Sequence, residues 1–457
     1  MPDLSSIVKA YDIRGVVGEQ LTTELVRDFG AAFARLVRAE SSAVVVGHDM
    51  RDSSPGLAAA FAEGVRAQGV DVVSVGLAST DMLYFASGKL ELPGAMFTAS
   101  HNPAQYNGIK LCRAGAAPVG EDSGLATIAE EVDRGVPAYD GAQGALSERD
   151  MLSEYAAHLR GMVPELPAIR RLKVVVDAGN GMGGHTVPSV FDGLRIEVVP
   201  MYFELDGSFP NHEANPLDPK NIVDLQAKVR DEVADAGLAF DGDADRCFVI
   251  DERGEPVAPS AITALVAVRE LDKARANGEG GGTVIHNLIT SKAVPEIVAE
   301  HGGTPKRTRV GHSFIKQTMA ETGAIFGGEH SAHYYFRDFW RADTGMLAAL
   351  HVLAALGGQD KPLSELTAEY NRYAASGEIN STVRDQAGRM RAVKDSFAGR
   401  AGASVDELDG LTVELADGSW FNLRPSNTEP LLRLNVEASD EPSVSALADE
   451  VLAIVRG

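Results

Sequence analysis

Three stretches of this chain share one pattern: a run of β-branched residues, a loop built on Gly, Asn or His, and then a helix-like segment. They begin at Val44 (Val-Val-Val-Gly-His-Asp-Met-Arg), Val174 (Val-Val-Val-Asp-Ala-Gly-Asn-Gly-Met-Gly-Gly) and Val284 (Val-Ile-His-Asn-Leu-Ile-Thr-Ser). An unbroken apolar run marks a strand covered on both faces, which is the condition of parallel sheets flanked by helices. The wide spacing suits successive α/β domains better than a short-period solenoid. Gly- and Pro-bearing stretches at 135–144, 251–256 and 356–362 read as linkers. They divide the chain into residues 1–146, 147–253, 254–367 and 368–457. The last piece differs from the others. Its Leu411-Thr-Val-Glu-Leu, Asp417-Gly and Ser419-Trp-Phe-Asn-Leu-Arg read as a hairpin, and Leu431-Leu-Arg-Leu-Asn-Val as a further strand, so it is expected to be a smaller α+β domain.

Composition narrows the function. The 65 acidic against 42 basic residues give a formal charge of -23. That excess repels nucleic acid and anionic lipid, and leaves small phosphorylated ligands only where cations and backbone N–H groups converge locally. Cys112 and Cys247 are the two cysteines, and neither sits in a C-x-x-C spacing. A disulfide framework or thiolate zinc site is therefore not expected. The first residues lack a basic stretch followed by an apolar core, and no apolar run reaches membrane-spanning length. The expected location is the cytoplasm, with neither nucleic acid nor membrane as partner.

Five segments bear on chemistry. Thr98-Ala-Ser-His-Asn-Pro follows the apolar Ala95-Met-Phe, which puts Ser100 in a loop leaving a strand, beside His101, while Pro103 blocks helix continuation. Taken alone it also reads as an ordinary Ser/Asn/Pro turn. Lys110, after Tyr106-Asn-Gly-Ile, can return to the same loop. No G-x-S-x-G elbow surrounds the serine, which disfavours a hydrolase triad. Asp241-Gly-Asp-Ala-Asp-Arg is sharper: three carboxylates alternate with small residues between apolar segments, so their oxygens can meet on one hard cation. Glu252 falls at the twelfth position from Asp241, as in an EF-hand loop, but Arg246 stands at the sixth position, where that loop needs Gly. Gly328-Glu-His-Ser-Ala-His and Arg424-Pro-Ser-Asn-Thr-Glu-Pro supply donors suited to sugar hydroxyls and to a phosphate dianion, although each also reads as a polar loop. Gly179-Asn-Gly-Met-Gly-Gly matches a dinucleotide fingerprint with Glu204 about 20 residues on, and equally a tight strand-to-helix turn.

Taken in chain order, Tyr11-Asp-Ile-Arg-Gly, Thr98-Ala-Ser-His-Asn-Pro, Tyr106-Asn-Gly-Ile-Lys, Asp241-Gly-Asp-Ala-Asp-Arg, Gly328-Glu-His-Ser-Ala-His and Arg424-Pro-Ser-Asn-Thr-Glu-Pro resemble the α-D-phosphohexomutase family along nearly the whole chain. The resemblance implies three successive α/β domains with mixed sheets and a smaller C-terminal α+β domain around a central cleft. It also implies that a hexose 1-phosphate and its 6-phosphate interconvert through a phosphorylated Ser100 and a 1,6-bisphosphate. Magnesium would lie between a phosphoserine oxygen and Asp241, Asp243 and Asp245. Arg14 and Arg246 would stabilise the transferring group, and His101 and Lys110 are candidates for proton transfer. Tyr11, Glu329, Ser331, His312 and His333 would contact the sugar, and Arg424, Ser426, Asn427 and Thr428 the phosphate that is not transferred. Glucose or mannose 1,6-bisphosphate would be the activator. The partners are then small hexose phosphates of mannose and glucose, with phosphoglucosamine mutase as the alternative within the family. Three departures bear on this choice. Ala244 stands where the family often has Gly. The sugar loop Glu-His-Ser-Ala-His matches neither the Glu-Met-Ser-Gly-His of dual mannose/glucose members nor the Glu-Gln-Ser-Gly-His of glucosamine members, and His286-Asn-Leu-Ile-Thr-Ser lacks the substrate-binding Lys that some members carry there. From other classes, a nicotinamide-dependent oxidoreductase and a non-catalytic sugar-phosphate-binding protein are the competing readings.

Overall fold

The computed structural model describes residues 4–426 and 431–457. Two compact units are present, one of residues 1–257 and 331–366 and the other of residues 258–330 and 367–457.

The first unit holds two mixed sheets. In one, the strands Gly94–Phe97, Ala43–His48, Asp71–Leu77 and Leu146–Glu148 run parallel in that order, and Tyr106–Arg113 and then Ile13–Val16 add antiparallel at the Gly94 side. In the other, Ala236–Phe240, Leu172–Asp177 and Ile196–Met201 run parallel, and Cys247–Ile250 and Pro256–Val257 add antiparallel beyond Ala236–Phe240. The runs at Val44 and Val174 are thus central strands with buried side chains, each followed by a helix, Ser54–Ala67 and Gly183–Phe191. Both sheets repeat one device. A buried parallel strand ends, the chain turns through a short loop, and it comes back antiparallel on the strand it has just left. The two loops made this way are 98–105 and 241–246, those of Ser100 and the three aspartates.

In the second unit, Thr304–Thr308, Thr283–Asn287 and Phe326–Gly328 run parallel, and the Val284 run is again a strand followed by a helix, Ala293–Glu300. Its remaining sheet is antiparallel, in the order Ala374–Thr382, Leu431–Ala438, Trp420–Pro425, Leu411–Glu414, Ser404–Asp406. Helices Gln386–Phe397 and Glu441–Arg456 close an apolar core that includes Phe397, Phe421, Leu434 and Val451. The expected hairpin is the pair Leu411–Glu414 and Trp420–Pro425. The stretch 251–256, read from its Gly and Pro as a linker, forms the turn between paired strands, with Ile250 opposite Pro256, and the first unit breaks just after it, at Val257. Gly and Pro interrupt regular structure equally in a hairpin turn and in a linker, so composition alone does not separate them. Among the described residues no helix is long and apolar enough to cross a membrane.

The core of the Ser100 sheet depends on the crossing of helix α1 (Thr23–Val37) and helix α2 (Ser54–Ala67), which contribute Phe29, Phe33 and Phe61 beside Phe97. The Phe61 and Phe97 rings meet edge to face at 5.5 Å. The helices approach so closely that a Cβ on Gly64 would stand 1.9 Å from the Arg27 carbonyl oxygen. Backbone cannot give way there as a flexible side chain can. Gly64→Ala is therefore expected to lower stability by about 1–3 kcal/mol, read as an earlier thermal midpoint, and an unchanged midpoint would contradict the close crossing.

Candidate active site

Ser100 is 5 % exposed, and its backbone lies in the left-handed region at φ 49°. A non-glycine residue is held there only when its surroundings dictate it. The Ser100 N–H donates to Thr98 Oγ1 at 2.9 Å, and the Ser100 hydroxyl donates to Asp241 Oδ2 at 2.8 Å. His101 Nδ1 lies 3.2 Å from the same Oγ. Thus two loops, distant in sequence, meet at one hydroxyl.

Asp241, Asp243 and Asp245 are all buried, and one oxygen from each lies within 4.8 Å of the others. Asp241 accepts from the Arg246 backbone N–H at 3.1 Å and from Arg246 Nε at 2.9 Å. Asp243 Oδ2 accepts from Thr80 Oγ1 at 2.6 Å and from Lys110 Nζ at 2.7 Å, and Asp245 Oδ2 accepts from Lys110 Nζ at 2.6 Å. Asp243 Oδ1 and Asp245 Oδ1 are buried with no hydrogen-bond partner among the described residues. A buried carboxylate oxygen without a donor is costly, and a hard divalent cation, which takes oxygen ligands, is the group that would satisfy both. The donor set fits magnesium or calcium and lacks the sulfur and multiple imidazoles of zinc sites.

Charge explains the protonation pattern. Three carboxylates share two cations, Arg246 and Lys110. Burial pushes the Asp241 carboxyl up to about 8, against the pull of Arg246. Burial opposes ionisation of Asp243 as well, but Lys110 and the Thr80 hydroxyl overcome it and hold that carboxyl well below the usual range. Lys110 is raised well above its ordinary value because Asp243 and Asp245 outweigh its own burial, so it stays a cation and is no base near neutral pH. His101 is pushed the other way, by burial and then by Arg246 and Arg14. Arg246 Nη2 lies 2.6 Å from His101 Nδ1. A guanidinium only donates, so Nδ1 accepts and the imidazole is neutral with its hydrogen on Nε2.

The other expected residues fall in several places. Arg14 donates to Asn102 Oδ1 at 2.6 Å and pairs with Asp12, which brings it to the Ser100 loop; Tyr11 is half-buried just before its strand. Ser331 Oγ lies 3.1 Å from His333 Nδ1, and His333 Nε2 is 3.8 Å from Asp245 Oδ1, so His333 stands beside the carboxylates. Asp343, which the sequence did not point to, joins Asp245 and His333 there. In the second unit, Glu329 is buried and accepts from Asn287 Nδ2 at 3.1 Å and from the Gly311 N–H at 3.3 Å. Arg424 faces Glu378 at 3.6 Å, and Arg433 lies 3.3 Å from the same carboxylate and 3.5 Å from Ser426 Oγ. His312 begins the helix His312–Thr322, and its side chain, like the whole of Asn427 and Thr428, lies outside what the structure describes. Lys292, just past the segment lacking a substrate lysine, pairs with Glu414 at 2.6 Å.

The Gly179 turn has a different role from dinucleotide binding. A Cβ on Gly181 would lie 2.6 Å from the Gly242 carbonyl oxygen, and the Met182 N–H donates to that oxygen at 2.9 Å. The space a pyrophosphate would need against Gly181 is filled by the aspartate loop, which this turn supports from behind.

Four family models match the chain in order. They are described as Phosphoglucomutase/phosphomannomutase alpha/beta/alpha domain I at residues 5–136, domain II at 153–254, domain III at 259–373, and the C-terminal domain at 378–454. The chain is 38% identical over 459 residues to a phosphomannomutase of Escherichia coli, covering 98% of each. It is 38% identical over 453 residues to the phosphohexose mutases protein of Xanthomonas campestris pv. campestris, covering 98% of this chain and 99% of that one. A crystal structure of a phosphoglucomutase/phosphomannomutase family protein from Burkholderia thailandensis superposes with a TM-score of 0.87 at 32% identity, covering 99% of this chain and 97% of the other.

Lys110→Met would leave Asp243 and Asp245 facing each other without their shared cation. In EDTA the variant is expected to lose about 3–5 kcal/mol of stability, and millimolar magnesium should restore part of it. Equal denaturation midpoints for variant and parent in EDTA would contradict this charge assignment.

Proposed function

This chain belongs to the phosphoglucomutase/phosphomannomutase family of α-D-phosphohexomutases, and we propose that it interconverts the 1- and 6-phosphates of mannose and glucose through a phosphorylated Ser100. It is a phosphohexomutase, an isomerase. The observation that carries the finer reading is the hydroxyl of Ser100, buried and donating to Asp241 beside two carboxylate oxygens that lack partners.

The free hydroxyl of a hexose monophosphate attacks the phosphorus on Ser100. A new P–O bond forms to the sugar, the P–Oγ bond breaks, and its electron pair stays on Oγ. The proton that the sugar hydroxyl loses ends on Oγ, and His101, with Nδ1 3.2 Å from that oxygen, is assigned to pass it once Arg246 leaves Nδ1 for the transferring phosphoryl group. The resulting 1,6-bisphosphate turns over and returns its other phosphate to Ser100 by the reverse step. Arg246 and Arg14 balance charge at the transferring group, the main demand of phosphoryl transfer. Lys110 is assigned to hold Asp243 and Asp245 in place rather than to exchange protons. Asp241, Asp243 and Asp245 would hold magnesium together with a phosphoserine oxygen, and the bound ion supplies charge neutralisation at the phosphoryl oxygens. Glu329, Ser331 and His333 hold sugar hydroxyls, with Tyr11 and His312 as further contacts. Arg424 and Ser426, with Asn427 and Thr428, hold the phosphate that stays. Glucose or mannose 1,6-bisphosphate serves as activator, and the enzyme works in the cytoplasm. Mannose is supported by the phosphomannomutase relatives at 38% identity.

Turnover of mannose 1-phosphate and glucose 1-phosphate, with magnesium and a trace of glucose 1,6-bisphosphate, tests this. Ser100→Ala is expected to lower kcat by more than ~1,000-fold, and EDTA should abolish turnover in the parent. Retained activity in Ser100→Ala would refute the mechanism, and faster turnover of glucosamine 1-phosphate than of either hexose would overturn the sugar assignment.

A further inference from the structure

Arg51 is 1 % exposed, follows the strand Ala43–His48 and belongs to no site described above. Its guanidinium is surrounded by one loop. Nη2 donates to the carbonyl oxygens of Ser100 at 2.8 Å and Asn102 at 2.7 Å, and Nη1 to those of Pro103 at 2.9 Å and Tyr106 at 3.0 Å. The four terminal N–H bonds are therefore matched to four carbonyls of the segment that displays Ser100.

The arginine is itself fixed. Its backbone N–H donates to Asp49 Oδ1 at 3.0 Å, its Nε lies 3.3 Å from Asp49 Oδ2, and the Ser54 hydroxyl donates to that carboxylate from the start of α2 at 2.5 Å. On the other side the Phe209 ring centroid lies 5.1 Å from the guanidinium carbon. A planar, always-charged fork held by a carboxylate and an aromatic face is a rigid template, and Lys offers no fork of that shape.

We infer that Arg51 is a positioning residue for phosphoryl transfer: by gripping the carbonyls of Ser100 and its neighbours it holds the serine in its left-handed conformation with Oγ aimed at Asp241. This rests on Ser100 being the phosphoryl carrier. The grip acts through the backbone of the reacting residue and not through the sugar, so its loss changes the transfer step and not substrate affinity. A misplacement of about 1 Å in a reacting group can cost about 100-fold in rate.

Arg51→Lys and Arg51→Ala are compared with the parent in the full-length protein. For Arg51→Lys the expectation is a kcat lower by about 100-fold with KM for mannose 1-phosphate within about twofold, and faster amide hydrogen exchange across residues 98–106. For Arg51→Ala, millimolar guanidinium is expected to raise kcat at least tenfold (~10-fold) by filling the vacated fork site, with no effect on Ser100→Ala. The proposal is overturned if Arg51→Lys keeps kcat within about threefold of the parent, if kcat and KM worsen together, or if exchange in 98–106 is unchanged. If Arg51→Ala does not fold, Arg51→Lys alone decides by the same criteria. If the parent itself shows no mutase turnover, the phosphoserine reading fails, and the hydrogen-exchange comparison still decides whether Arg51 orders the loop.

Discussion

The hydrogen bond from Ser100 to Asp241 ties together everything that bears on chemistry in the first unit. It joins two loops that belong to different sheets, and each sheet has its own reason to present its loop at that point. A parallel strand buried on both faces must end in a turn, and an antiparallel return keeps the turn short and its ends paired. The 98–105 and 241–246 loops are both made this way. Neither has slack to drift, and the Gly179 turn stands behind the aspartates with its backbone on Gly242.

Charge then governs what can bind. When Asp241 is ionised along with its neighbours, three buried carboxylates against Arg246 and Lys110 leave one negative charge in excess, with two oxygens that lack donors. A divalent cation would reverse that excess and draw in a phosphoryl group, whose own negative charge Arg246 and Arg14 help to balance. The same accounting separates the two proton-transfer candidates. Lys110 is held as a cation between two carboxylates, whereas His101 is neutral while Arg246 donates to it and can take a proton when that donor turns away. Their roles differ because their neighbours differ, though both lie near the same serine in sequence.

Some of this was legible in the sequence. The alternation of Asp241, Asp243 and Asp245 with small residues, set between apolar strands, pointed to a cation site because both strand ends and the acid spacing are local features. The three β-branched runs marked the central strands for the same reason. Ser100 was ambiguous alone, since a Ser/Asn/Pro loop has many uses, and only the ordered set of segments gave it meaning. Arg51, Thr80 and Asp343 carried no signal. Each acts on residues far along the chain, with 49 positions between Arg51 and Ser100 and 163 between Thr80 and Asp243, and no local pattern announces such a pairing. The Gly and Pro at 251–256 serve two ends at once, closing a hairpin turn just before the first unit breaks at Val257.

The most direct test of a phosphoryl group carried by Ser100 is rapid mixing of the phosphorylated protein with mannose 1-phosphate. Acid-quenched samples would be followed for protein mass and for sugar phosphates within the first turnover. The account predicts that the protein loses one phosphoryl group as mannose 1,6-bisphosphate appears, and that mannose 6-phosphate follows as the protein regains it. Mannose 6-phosphate forming while the protein stays phosphorylated and no bisphosphate is seen would contradict it.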